Sequence, residues 1–180
     1  MTVETKLASA VDKDIFLDRF QKEIVDRFDF RLKTKEKEKS HKKQDDTSRQ
    51  DAKDAAKGDA ATESTERQRR ILKDCICVGL SSCSKALAKD SAPIDLLVVA
   101  SDYDPVHFAA HLPVVAHQRK IPILLLPDAS RDLGKVLGVR CAGVIAFSLQ
   151  GALSGEADRA SRTMQEKLTS FVSFVKSTLM

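Results

Sequence analysis

The spacing of apolar residues divides the chain into alternating segments. Phe16, Leu17, Phe20, Ile24 and Phe28 recur at helical steps, with Asp18, Lys22, Asp26 and Asp29 between them. That pattern predicts an amphipathic helix over residues 12–31. From residue 71 the pattern shortens. Cys75–Leu80 reads as an apolar strand, and Ser81–Asp90 as a short helix with a serine N-cap. Leu96–Ala100 has no polar alternation, as expected of a strand buried on both faces. Asp104 and Pro105 open a helix towards Arg119. Ile121–Leu126 is a third strand closed by Pro127, and Ser130–Leu137 is a helix stopped by Gly138. Ala142–Phe147 is a fourth strand. Glu156–Leu179 is a last helix with Met164, Leu168, Phe171 and Val175 on one stripe. This alternation predicts an α/β chain: a three-layer α/β/α sandwich with a four-stranded mixed sheet.

Between the first helix and this core the pattern vanishes. From Lys33 to Glu66 there is no Val, Ile, Leu, Met, Phe, Tyr or Cys. Such a segment buries too little apolar surface to offset its chain entropy. The expected organisation is therefore an amphipathic helix in 1–32 that packs on the core, a charged disordered insert in 33–70, and an α/β/α domain in 71–180. A long insert is tolerable because loop-closure entropy grows slowly with length.

Charge sharpens this division. Residues 31–70 hold thirteen basic and nine acidic side chains, a surplus equal to the whole chain's net charge of +4. Lys33–Lys43 (KTKEKEKSHKK) reads either as a solvated linker or as a nuclear-import or phosphate-seeking arm. The longest apolar run is far too short to span a bilayer, and the first ten residues lack a secretory core. These features predict a soluble intracellular protein, with Cys75, Cys77, Cys83 and Cys141 as reduced thiols. With no Trp and only Tyr103 besides eight Phe, a base-stacking platform is not expected.

The candidate chemistry is sparse. No phosphate-binding or dinucleotide-binding glycine run is present; Gly134 and Gly138 in LGKVLGV read as a close helix packing and a C-cap. His107 and His111 stand four apart on the third predicted helix, but no neighbouring glutamate or third ligand completes a zinc enzyme. A hydrogen-bonded or partly buried histidine is the better reading. Cys75 and Cys77 share a strand face by spacing and with Cys83 form a conceivable thiolate cluster, yet no second Cys/His pair accompanies them. No cofactor, metal or catalytic site is predicted. What remains is the turn Gly79-Leu80-Ser81-Ser82-Cys83-Ser84-Lys85, where backbone amides, hydroxyls and a lysine gather at a helix N-terminus. Such a group is suited to an anion or a nucleic-acid backbone.

The order and wording of several short motifs add to this. VGLSSCSKALAK (78–89), LLVVASDYDP (96–105), AHLP (110–113), KIP (120–122) and DLGKVLGV (132–139) together resemble the ribosomal-protein family that binds kink-turn RNA. Archaeal large-subunit ribosomal proteins and eukaryotic box C/D and H/ACA particle proteins belong to that family. Within it, the stretch 111–147 is most similar to the subfamily of the thirty-eight-kilodalton protein subunit of ribonuclease P and ribonuclease MRP. The resemblance implies a non-catalytic, RNA-binding subunit of a nuclear and nucleolar ribonucleoprotein that processes tRNA and rRNA precursors. Its partners would be a structured RNA with a kink-turn or internal-loop element and other protein subunits, with no membrane and no small-molecule substrate.

The resemblance also implies a site. RNA-contacting positions would be Gly79, Leu80, Ser81, Ser82, Ser84 and Lys85 at the first turn of the second helix. Leu126, Pro127, Asp128, Ala129 and Arg131, in the loop after the third strand, would complete it. Where the family carries Asn and Glu to read sheared G·A pairs, this chain has Ser81 and Ser82. Serine cannot supply paired amide and carboxylate contacts, so binding would lean on phosphates or partner proteins. Asp102 and Pro105 match the family as helix-start devices. Three other readings stand beside this one: a box C/D, H/ACA or ribosomal particle protein, a protein-interaction adaptor with the same fold that has lost RNA contact, and a small hydrolase or metal enzyme using His107 and His111.

Overall fold

The computed structural model describes residues 5–32, 68, 70–89, 93–102, 111–149 and 159–180. Ser9 starts the first helix. Its hydroxyl accepts the Asp12 amide at 3.1 Å, and the Asp12 carboxylate accepts the Ser9 amide at 3.0 Å, a reciprocal capping box. Helix α1 runs Ala10–Phe20 and continues as a π-helical turn over Gln21–Val25. The wider turn brings both Ile24 and Val25 into the core. The helix expected over 12–31 therefore starts two residues earlier and gives way to a turn at Asp26.

The apolar stripe of α1 has a specific seat. Phe16, Phe20, Phe147 and Phe171 form one ring cluster, with centroids 5.4–5.9 Å apart. Aromatic pairs at this spacing add to the stabilisation from burial. Here they bind α1 to the sheet and to the last helix. Arg19 adds a guanidinium 3.8 Å from the Phe174 ring centroid.

The strands are β1 Thr5–Leu7, β2 Ile76–Val78, β3 Leu96–Ala100, β4 Ile123–Leu126 and β5 Val144–Phe147. They form a single five-stranded sheet in the order β1-β4-β3-β5-β2, so the expected four strands are corrected to five. Thr5-Lys6-Leu7 offers one apolar residue in three, which carries no periodic signal. Only parallel pairing with Ile123–Leu125 makes it a strand. β5 runs against β3 and β2, while β1 and β3 run parallel to β4. Strands β1 to β4 thus share one direction, and their carboxyl ends share one sheet edge.

Both faces are covered, as expected. Leu96, Val98 and Ala100 of β3 pack with Phe16, Phe20, Leu133, Leu137 and Phe171. Leu97 and Val99 pack with Cys83, Leu87, Leu112 and Ala116. Helices α2 (Leu80–Ala88) and α3 (His111–Gln118) supply the second layer. Helix α4 (Ser130–Leu137) and helix α5 (Arg159–Phe174, with a π-helical turn over Val175–Leu179) join α1 in the first. Gly138 ends α4 in the left-handed region at φ 73, as its sequence position predicts. Gly134 lets α4 approach the following loop, for a Cβ there would stand 2.6 Å from the Cys141 Cα.

Several boundaries move. Residues 70–75 are helical, so β2 begins at Ile76 rather than Cys75. This undoes the shared strand face of the first two cysteines: Cys75 packs in the first core, and Cys77 borders the second. The Asp104–Pro105 helix start and His107 lie outside the described residues, as does the 33–70 insert apart from helical residues 68 and 70. No helix among the described residues is long and apolar enough to cross a membrane.

Candidate nucleic-acid interface

The shared carboxyl edge of β2, β3 and β4 is sewn together by backbone hydrogen bonds. The Gly79 amide donates to Val144 O at 2.9 Å, Ala100 N to Gly143 O at 2.8 Å, and Ser101 N to Leu126 O at 2.9 Å. In sheet order β2 and β4 are three strand spacings apart, or about 14 Å. The two sequence-predicted segments, 79–85 and 126–131, therefore leave one edge side by side rather than in contact.

Gly79 leads directly into α2. Its φ of 89 and ψ of 154 lie where only glycine is at ease. A Cβ there would meet nothing within 4 Å, so the backbone conformation and not crowding requires glycine. Gly79 is the N-cap, which corrects the expected serine cap, and no side chain caps the first turn. The opening amides of α2 are thus left to solvent or to a bound anion. Ser81, Ser82 and Lys85 are all exposed, while Cys83 and Leu87 turn into the core. Leu80 is half-buried and packs against the second core. Among the described residues, Lys85 has no carboxylate partner.

Ser84 plays a different part. Its hydroxyl lies 3.1 Å from His111 Nε2, linking α2 to the start of α3. His111 is therefore the hydrogen-bonded histidine that its sequence context predicts.

The second segment is partly inaccessible. Leu126 and Ala129 are fully buried, and Ser130 is buried. Pro127 is half-buried, and Asp128 (φ 43) and Arg131 are exposed. Contact at this loop is open to Pro127, Asp128 and Arg131, whereas Leu126 and Ala129 present no surface, which corrects their expected place in the site.

Asp102 decides how the two helix starts differ. It is a helix-start device for α4. Its carboxylate accepts the Ser130 amide at 3.0 Å and the Ser130 hydroxyl at 2.7 Å. Burial pushes the Asp102 carboxyl up, but hydrogen bonds from Ser130 and the Ala129 amide outweigh it and hold the group below its ordinary value. A carboxylate thus already occupies the start of α4, while the start of α2 holds none.

Thiol and metal chemistry find no such support. Burial pushes the Cys83 thiol up to about 12 and the Cys75 thiol up to about 11; burial likewise raises Cys77. All four cysteines are free thiols, and the three raised ones are neutral at physiological pH. Among the described residues no three His, Cys, Asp or Glu side chains gather to hold a metal ion.

Three features escape the sequence reading. The Ser9–Asp12 capping box carries a recognisable Ser-x-x-Asp signal. The Asp102–Ser130 and Ser84–His111 contacts span 28 and 27 residues and have no local signature.

The structure of a 15.5kD RNA binding protein from Giardia lamblia is similar to this chain at 20% identity and a TM-score of 0.37, over 58% of this chain and 80% of that one. Residues 61–153, from the approach to β2 through β5 and just beyond, match the ribosomal protein L7Ae/L30e/S12e/Gadd45 family. The turn into α2 and the loop before α4 both fall inside that span, and the chain belongs to this family.

Proposed function

We propose that this protein is a non-catalytic RNA-binding subunit of a ribonucleoprotein of the ribonuclease P/MRP type, serving tRNA and rRNA precursor processing. It grips a kinked or internal-loop RNA element at the first turn of α2 and contacts other protein subunits of the particle, in the nucleus and nucleolus. Membership of the L7Ae/L30e/S12e/Gadd45 family supports a structured RNA as partner. The observation that carries the site is the uncapped start of α2, with Ser81, Ser82 and Lys85 outward beside amides that can receive phosphate. The short serines favour phosphate contact over base reading.

The test is a crosslinking pull-down of the full chain from cells, sequencing the RNA recovered. Recovery of ribonuclease P or MRP RNA supports the reading. Recovery of box C/D, H/ACA or ribosomal RNA moves the protein to another particle of the same kind, and recovery of no RNA refutes it.

A second reading, a protein-interaction adaptor, draws on Leu7, Val11 and Ile15, which are 64%, 67% and 40% exposed along β1 and α1. In that case Lys85→Glu leaves partner capture intact.

A further inference from the structure

The two helices of the second layer carry charge of one sign. Over 80–89 and 111–120 the charged or protonatable side chains are Lys85, Lys89, His111, His117, Arg119 and Lys120, all exposed, with no Asp or Glu. The opposite layer is mixed, with Asp12, Asp18 and Glu23 on or following α1 and Asp132 on α4. Two contacts tie the basic pair together. Ser84 meets His111 at 3.1 Å near the site edge, and Arg119 Nη1 donates to Lys89 O at 3.3 Å at the far end. The eight residue steps from His111 to Arg119 span about 12 Å, roughly three to four nucleotides of one strand.

We infer that the basic side chains of α2 and α3 form a second RNA contact, holding phosphates of the stem that leads out of the kinked element. The inference rests on the RNA-binding reading above and names where the RNA goes next. Charge complementarity and continuity carry it. α2 begins at the proposed grip and its C-cap is Lys89, so an RNA seated on its first turn meets Lys85 and then Lys89 along the same helix. Val114 is the large apolar side chain exposed on these helices, too little for the apolar centre of a protein interface. At the far end Lys89 and Arg119 flank a cleft of about 260 Å³ floored by Leu87, Ile94 and Ile121.

The test uses the full chain and two RNAs with the same kink-turn loop, one with short stems and one with stems of about a dozen base pairs. The variant is Lys89→Gln with Lys120→Gln, both exposed and both outside the proposed grip. The long-stem RNA should bind wild type more tightly than the short-stem RNA. The double variant should lose on the order of tenfold affinity for the long-stem RNA, with a salt slope shallower by roughly two, and keep its affinity for the short-stem RNA. Equal affinity of both proteins for both RNAs, or an equal loss on both RNAs, overturns the inference alone. So does a polyglutamate peptide that binds wild type but not the variant while both RNAs bind the two proteins alike. Failure of wild type to bind either RNA overturns the RNA-binding reading as well.

Discussion

The Asp102 carboxylate at the end of β3 receives both the amide and the hydroxyl of Ser130 at the start of α4, at 3.0 and 2.7 Å. One side chain so fixes where α4 leaves the sheet and takes up the anion-seeking end of that helix. The start of α2 carries no such side-chain cap.

Asp102→Ala should therefore destabilise the fold by about 1 kcal/mol, as for loss of an N-cap, without removing an RNA contact. The folded-state carboxyl lies below its ordinary value. Its contribution is thus present above about pH 4 and is lost as pH falls through the folded value. Melting midpoints of wild type and variant should differ by a constant amount from pH 7 to about 5 and converge in acid. A gap that persists at pH 2 would show that the carboxylate is not the source.

Two glycines should fail for different reasons. Gly79→Ala meets no atom but must adopt φ 89, costing about 1–3 kcal/mol through backbone strain. Gly134→Ala drives a Cβ to within 2.6 Å of the Cys141 backbone, costing about 1–3 kcal/mol or more through overpacking. Denaturant titration measures both. The first variant should also misplace the start of α2 and weaken RNA binding, and the second should leave binding unchanged under folded conditions.

Phe20 touches three other rings. Phe20→Ala should cost about 3–5 kcal/mol, a large share of the stability of an ordinary domain. A loss below about 1 kcal/mol in a denaturant series would mean that α1 is not seated on β5 and α5 as described.

The thiols should sort by burial. With Cys75 and Cys83 pushed up to about 11 and about 12 and Cys141 exposed, iodoacetamide at pH 8 should label Cys141 first. Peptide mass spectrometry reads the order, and early labelling of Cys83 would contradict its place on the buried side of α2.

Much of this architecture is legible in the chain because burial on both faces removes polar residues. β3 announces itself as Leu96–Ala100 and β4 as Ile121–Leu126, of which Ile123–Leu126 forms the strand, and Gly138 marks the end of α4 by its conformational freedom. β1 is silent because its stability comes from pairing with β4 and not from its own residues. The π-helical turn after Phe20 is silent because a 3.6-residue pattern absorbs one extra residue without visible interruption. The candidate site is legible at Gly79 and Lys85, where turn chemistry is local. It is illegible at Asp102, whose partner lies 28 residues away.

The most direct measurement is the affinity of purified full-length protein for a kink-turn RNA, wild type against Lys85→Glu, across a salt series. Losing a charged contact and gaining repulsion should cost about 1.5–3 kcal/mol, roughly ten- to a hundredfold in affinity, with a shallower salt slope. Equal affinity and equal slope in the two proteins would contradict an RNA grip at the first turn of α2.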